Sequence, residues 1–162
     1  MIEIVEYKDT LFDDAVEIFT QLSKYYLKEN ASSREVVEEN LRDNILAEKS
    51  SVNIALAYYD GVICGLASYA ILYPATKETG QLYLKELFVS QDYARNGVGN
   101  RLMSFMAKVA LESNCSRFDW TANEDSGSAV NFYQKIGAPI IQKKKYYRLS
   151  GENLEKMADS HC

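Results

Sequence analysis

The residues best placed to do chemistry lie between positions 82 and 138. An apolar run closes on Leu87-Phe88-Val89, and a glycine turn follows at Arg95-Asn96-Gly97-Val98-Gly99. A long amphipathic stretch comes next, with Val98, Leu102, Phe105 and Val109 at helical spacing. A strand that passes through glycines into a helix builds an anion site. The first-turn N–H groups have no partner inside the helix, and the helix dipole adds positive potential at the same spot. Downstream, a short helical segment ends in Phe132-Tyr133-Gln134-Lys135-Ile136-Gly137, placing a tyrosine close to a predicted glycine C-cap. Cysteine nucleophile chemistry is disfavoured. Cys64, Cys115 and Cys162 are scattered, and the single histidine, His161, sits beside the C-terminus with no Cys-His pairing in view.

These positions need a scaffold, and the pattern supplies one. Ile2 to Tyr7 reads as a strand. Leu11, Ala15, Ile18, Leu22 and Tyr25 recur at helical spacing, and Ser32-x-x-Glu35 opens a second helix as a capping box. Ser51–Tyr59 and Val62–Leu72 flank Asp60-Gly61, a type I′ hairpin signal. Gln81–Val89 is a further strand. Ser116–Thr121 is the strand after the long helix, with Trp120 read as a core residue, and Ile140–Leu149 closes the chain as a last strand before a turn through Met157. The expected order is β-α-α-β-β-β-α-β-α-β, an α+β fold. Residues 1–162 are read as one domain.

Composition narrows the function classes. The chain has 162 residues, 2 Pro and 8 Gly, so a long linker is not expected. No apolar run approaches the roughly 20 residues that span a bilayer. The N-terminus carries acids and no basic region, unlike a signal peptide. Three dispersed cysteines without metal-type spacing suggest free thiols in a reducing compartment, the cytoplasm. The net charge of −5 is uneven. Residues 1–80 carry 7 Lys+Arg against 14 Asp+Glu, whereas residues 81–162 carry 11 against 9. The first half suits a cationic partner and the second an anionic one. Bulk nucleic-acid binding is disfavoured, since no large basic surface is evident. The one basic run, Lys143-Lys144-Lys145 with Arg148, reads as protection of an edge strand, with a contact to a second copy or to a phosphate as the sharper alternative.

With these elements in place, the chain resembles the GNAT N-acetyltransferase superfamily. Ala94-Arg95-Asn96-Gly97-Val98-Gly99 matches the Gln/Arg-x-x-Gly-x-Gly/Ala signature at both glycines and departs from it at Ala94. Ala129, Phe132, Tyr133 and Gly137 match the later tyrosine motif, with Ser126 in place of the usual Asn. The resemblance implies a mixed central sheet with splayed central strands, acetyl-CoA as cosubstrate, no metal, and a homodimer. It implies that Arg95, Asn96, Gly97, Val98, Gly99, Asn100 and Arg101 hold the CoA pyrophosphate. The backbone of Leu87, Phe88 and Val89 would pair with the pantetheine arm, and Ser126, Ser128 and Asn131 would complete the cosubstrate site. Glu86 is the implied base, its pKa raised by an apolar setting. Tyr133 is the implied acid for the departing thiolate, and an N–H of Phe88 or Val89 the oxyanion donor. Among relatives, the motifs resemble most the diamine (spermidine/spermine) acetyltransferases, through Tyr83-Leu84, Phe88-Val89, Asp92-Tyr93, Asn131-Phe132-Tyr133 and Leu154-x-Lys156-Met157. In their register the first acid of the strand falls on Lys85 and the second on Glu86. The acceptor region then contains Tyr25, Tyr26, Glu29 and Tyr73, a set of acids and rings suited to a cationic amine. Two alternatives stay open: an acceptor amino group on a protein or aminoacyl-tRNA, and a non-catalytic acetyl-CoA sensor.

Overall fold

Apolar runs, buried on both faces in β2 and β3, form the first four strands, each antiparallel to the next: β1 (Ile2–Glu6), β2 (Asn53–Tyr59), β3 (Val62–Leu72) and β4 (Gly80–Val89). β5 (Cys115–Trp120) then joins β4 in parallel, giving the order β1-β2-β3-β4-β5. A parallel pair needs a crossover, and the helix α3 (Val98–Glu112) provides it. Two helices, α1 (Phe12–Leu27) and α2 (Arg34–Asn40), separate β1 from β2. This computed structural model describes residues 1–159; His161 and Cys162 lie outside the described residues. Its contacts divide the chain into two units, Met1–Ala122 and the residues from Asn123 onward.

The first unit has a layer on each side of its sheet. On one face Ile54, Leu56, Leu66 and Phe88 pack with Ala15, Val16 and Ile18 of α1 and with Val37 and Leu41 at α2. On the other, Gly65 and Ala57 meet Leu102 of α3, whose Val98, Met106 and Val109 are also buried. Small residues at 57, 65 and 67 let α3 lie close to the strands. The hairpin turn has the expected form: Asp60 and Gly61 take φ of 49° and 81°, the paired positive values of a type I′ turn. The cap of α2 differs from expectation. Ser33 is the N-cap, its Oγ accepting from Val36 N–H at 3.4 Å, while the Ser32 N–H donates to Ser23 Oγ. The capping residue is the one whose extended backbone immediately precedes the first helical residue, and that is position 33. No helix among the described residues is long and apolar enough to cross a membrane.

The second unit holds α4 (Gly127–Lys135) and α5 (Glu152–Asp159). Gly137 ends α4 as expected. At φ 79° it donates to Gln134 C=O, while Ala138 N–H donates to Tyr133 C=O, which together form a Schellman closure. Ala129 and Phe132 are half-buried, but Ile136, expected on the buried side, is exposed. The larger correction concerns residues 140–149. They form no strand among the described residues, and Ile140, Ile141, Tyr146 and Tyr147 are exposed. A strand exists only where a neighbour takes up its backbone groups. Local alternation around a triple lysine does not supply that neighbour, so the edge-strand account of the basic run falls with it. The last turn expected through Met157 is part of the helix α5, which carries a Glu152–Lys156 pair.

Candidate active site

The glycine turn begins where β4 ends. Its approach is anchored by Tyr93, whose ring lies 5.6 Å from that of Tyr59 at the end of β2. Arg95 (φ 64°) and Gly97 (φ 85°) both take left-handed backbone, and Gly97 is the N-cap of α3. A positive φ of this kind costs a residue with a Cβ about 1–2 kcal/mol. The N–H inventory is narrower than the sequence reading. Asn96 N–H is spent on Tyr93 C=O, and Arg101 N–H makes the first helical bond to Gly97 C=O. That leaves Val98, Gly99 and Asn100 with first-turn N–H groups that lack an intrahelical acceptor, and no side chain caps them. Val98 itself is buried, so only its backbone can serve a ligand; Arg95, Asn96 and Asn100 are exposed.

β4 and β5 pair only from Gly80/Cys115 to Leu84/Trp120. β4 continues to Val89, paired on its other side with β3. From Lys85 onward its β5-facing edge therefore has no ladder, as splayed central strands require. The direction of each peptide group decides which residues can use this edge. Ser90 N–H donates to Cys64 C=O on β3. By the alternation of an antiparallel ladder, Phe88 also turns its polar groups toward β3, and Leu87 and Val89 turn theirs away. Gly65 supports this: a Cβ there would sit 2.8 Å from the Phe88 carbonyl oxygen. Of these three backbones, Leu87 and Val89 turn their peptide groups to this open edge and Phe88 does not.

A bulge sets the carboxylate. Ser68 pairs with Glu86 and Tyr69 with Leu84, leaving Lys85 as the extra residue. Without the bulge Glu86 would follow Leu82 and Leu84 onto the α3 face. With it, Glu86 and Phe88 share the face beneath α1. There Tyr26, in the last turn of α1, donates its O–H to Glu86 Oε1 at 3.0 Å. Burial pushes the Glu86 pKa above the usual carboxylate range, partly offset by the Tyr26 O–H, the Leu87 N–H and the Lys85 charge. Tyr25 packs edge-on to Tyr26 at 5.2 Å and against Phe88 at 5.7 Å. Both tyrosines are more than half exposed, with the rings at the rim of the sheet face. Glu29 follows on an exposed 3-10 turn, Lys28–Asn30.

Tyr73 does not join this group. Its O–H reaches Ser113 C=O at 3.5 Å and its ring lies over Gly80, at the start of β4. Glu86 is about 20 Å further along the strand at about 3.3 Å per residue. A loop residue has no periodicity to betray which end of the sheet it serves. In the second unit, Ser126 is the N-cap of α4 without a side-chain cap bond, and Ser128 and Asn131 are exposed. Tyr133 is half-buried, its ring 5.2 Å from that of Phe132. Among the described residues the two thiols are buried: burial pushes Cys64 up to about 11 and raises Cys115 as well.

The acetyltransferase (GNAT) family model matches residues 11–138, most of the chain and all of the glycine turn. The chain belongs to the GNAT acetyltransferase family. Among curated relatives, it is 26% identical over 119 residues to the L-ornithine N5-acetyltransferase NATA1 of Arabidopsis thaliana. That match covers 74% of this chain and 49% of the relative. It is 27% identical over 100 residues to a thialysine N-epsilon-acetyltransferase of Mus musculus, covering 60% and 58%. The chain thus spans about half the length of the curated relatives it matches. Among solved structures, an integron cassette protein from the mobile metagenome of V. cholerae superposes with a TM-score of 0.92 at 37% identity, covering 98% of each chain. For this GNAT protein, sequence reasoning named Glu86 and Tyr26 separately. Their bond spans 60 positions, and no local signal announces it.

Proposed function

We propose that this protein is an N-acetyltransferase that moves acetyl from acetyl-CoA to the primary amine of a small cationic acceptor, with a polyamine or diamine favoured. The observation that carries the reading is the conjunction at the end of β4. The outward peptide groups of Val89 and Leu87, the Leu87 N–H shared with the Glu86 carboxylate, stand on an unladdered edge that leads through a short turn to the uncapped first turn of α3. An extended amide-bearing arm fits the first, and a pyrophosphate fits the second, with Arg95 beside it. Acetyl-CoA has both groups. The match to the family crosses from the first unit into the second, which supports reading residues 1–162 as one acetyltransferase domain.

Each residue then has a task. The Glu86 carboxylate accepts a proton from the acceptor ammonium, directly or through a water, freeing the nitrogen lone pair. The neutral amine attacks the thioester carbonyl, and Val89 N–H donates to the carbonyl oxygen as charge builds there. As the C–S bond breaks, Tyr133 protonates the departing thiolate, a role carried by its motif, and the proton shed by the newly acylated nitrogen passes through solvent to restore the phenol. Ser126, Ser128 and Asn131 belong to the cosubstrate side by the same motif. Tyr25 and Tyr26 offer ring faces, and Glu29 a charge, to a cationic chain. The acidic first half of the sequence agrees with such an acceptor. We read the protein as a cytoplasmic homodimer, and the exposed apolar residues between Ile140 and Leu149 support a partner surface.

Thiol release from acetyl-CoA against spermidine, spermine, putrescine, ornithine, lysine, aminoglycosides and a Lys peptide tests the reading. Saturable turnover with a small amine is expected, and Tyr133→Phe should abolish most of it while keeping acetyl-CoA binding by calorimetry. Undiminished turnover in Tyr133→Phe would remove the leaving-group assignment. Tight acetyl-CoA binding with no turnover on any amine would favour a sensor.

A further inference from the structure

We propose that Tyr26 is a positioning residue for Glu86, holding and tuning the carboxylate in addition to lining the acceptor site; this rests on the acetyltransferase reading above. The geometry is a closed ring of contacts. Glu86 and Phe88 are two residues apart on one face of β4. Phe88 packs on Tyr25 at 5.7 Å, Tyr25 on Tyr26 at 5.2 Å, and Tyr26 O–H returns to Glu86 Oε1 at 3.0 Å. A lone phenol near a carboxylate is mobile. A phenol whose ring is held by a neighbour fixed to the same strand is aimed. Because the bulge at Lys85 is what turns Glu86 toward α1, the strand defect and the helix tyrosine act as one device. A donor on a carboxylate stabilises its ionised form, whereas desolvation works against it.

Several groups lie around Glu86 among the described residues. Lys85 on its own strand contributes favourable charge, the Leu87 N–H donates, α1 presents the phenols of Tyr26 and Tyr25, and β3 presents the neutral Ser68. Removing the Tyr26 hydroxyl therefore leaves burial opposed by less, and Glu86 should hold its proton to higher pH. The ring of Phe at position 26 keeps the contact with Tyr25, and the site is more than half exposed, so folding should survive the change.

Two measurements on Tyr26→Phe decide the matter. The first is a ¹³C-carboxyl titration of the ligand-free protein, with Glu86 assigned by the resonance lost in Glu86→Gln. It needs no activity, so it stands even if no amine is acetylated. The Glu86 midpoint is expected at higher pH in Tyr26→Phe than in the wild type, and an unchanged midpoint would overturn the proposal. The second is the pH profile of kcat/KM with the best amine, whose own titration is common to both proteins. The acidic limb is expected to move up in Tyr26→Phe. The loss should be roughly three- to tenfold at low pH and close toward the alkaline end, as a smaller ionised fraction requires. A pH-independent rise in KM with an unmoved limb would make Tyr26 a substrate contact alone and refute the positioning role.

Discussion

Gly65→Ala places a methyl group against the β4 backbone, between β3 and α3, and its cost follows from three distances. The new Cβ would meet the Phe88 carbonyl oxygen at 2.8 Å, with Ala57 Cβ and the Leu102 side chain each at 3.5 Å on its other sides. The obstructing atom is backbone, so no rotamer change relieves the clash. Retreat is blocked by the packed small residue and by α3. β3 and β4 must separate by several tenths of an ångström, and overpacking of this kind costs about 1–3 kcal/mol. For a chain of this size that is a fall in Tm of roughly 3–9 °C. The displaced carbonyl belongs to the residue between Leu87 and Val89, so acetyl-CoA affinity should fall as well. Urea unfolding and acetyl-CoA calorimetry on the same sample read both effects. Gly127→Ala is the control, since nothing lies within 4 Å of its Cβ, and it should unfold at or above the wild-type midpoint. If Gly65→Ala matched the wild type in both stability and affinity, the strand spacing argued here would be wrong.

Two further outcomes follow from single residues. Gly97→Ala meets open space, its nearest neighbour being the Ile2 side chain at 3.9 Å. Its cost is therefore backbone strain of about 1–2 kcal/mol, seen as a modest loss in urea midpoint with a larger loss of acetyl-CoA binding. Glu86→Gln should remove turnover yet gain stability relative to the wild type at neutral pH. The folded-state pKa of Glu86 lies above its ordinary value of 4.5, so the wild type loses stability as pH rises through that higher pKa. The glutamine variant does not, and the gap should close once the pH is below 4.5. Parallel denaturation series from pH 4 to 8 would contradict the argument if the difference were independent of pH.

The sequence by itself determined what is written locally. The Asp60-Gly61 hairpin, the glycine cap after α4 and the turn into α3 depend on residues adjacent in the chain, because φ preference and capping act over four or five positions. It also fixed the family, since the turn and the tyrosine motif are contiguous strings. It could not resolve which peptide groups face the open edge of β4. That depends on the pairing of Ser90 with Cys64, which withdraws Phe88 and leaves Leu87 and Val89. Nor could it orient Glu86: alternation alone sends the side chain to the α3 face, and a one-residue bulge against Ser68 and Tyr69 sends it to Tyr26. By residue type Tyr73 suits an acceptor contact, but tertiary structure places it at the far end of the strand on Ser113. Residues 140–149 carry strand-like alternation, yet a strand needs a partner that no local pattern can provide. Local chemistry is encoded in neighbours along the chain, whereas the site is assembled by register between strands, and register is a property of the folded sheet.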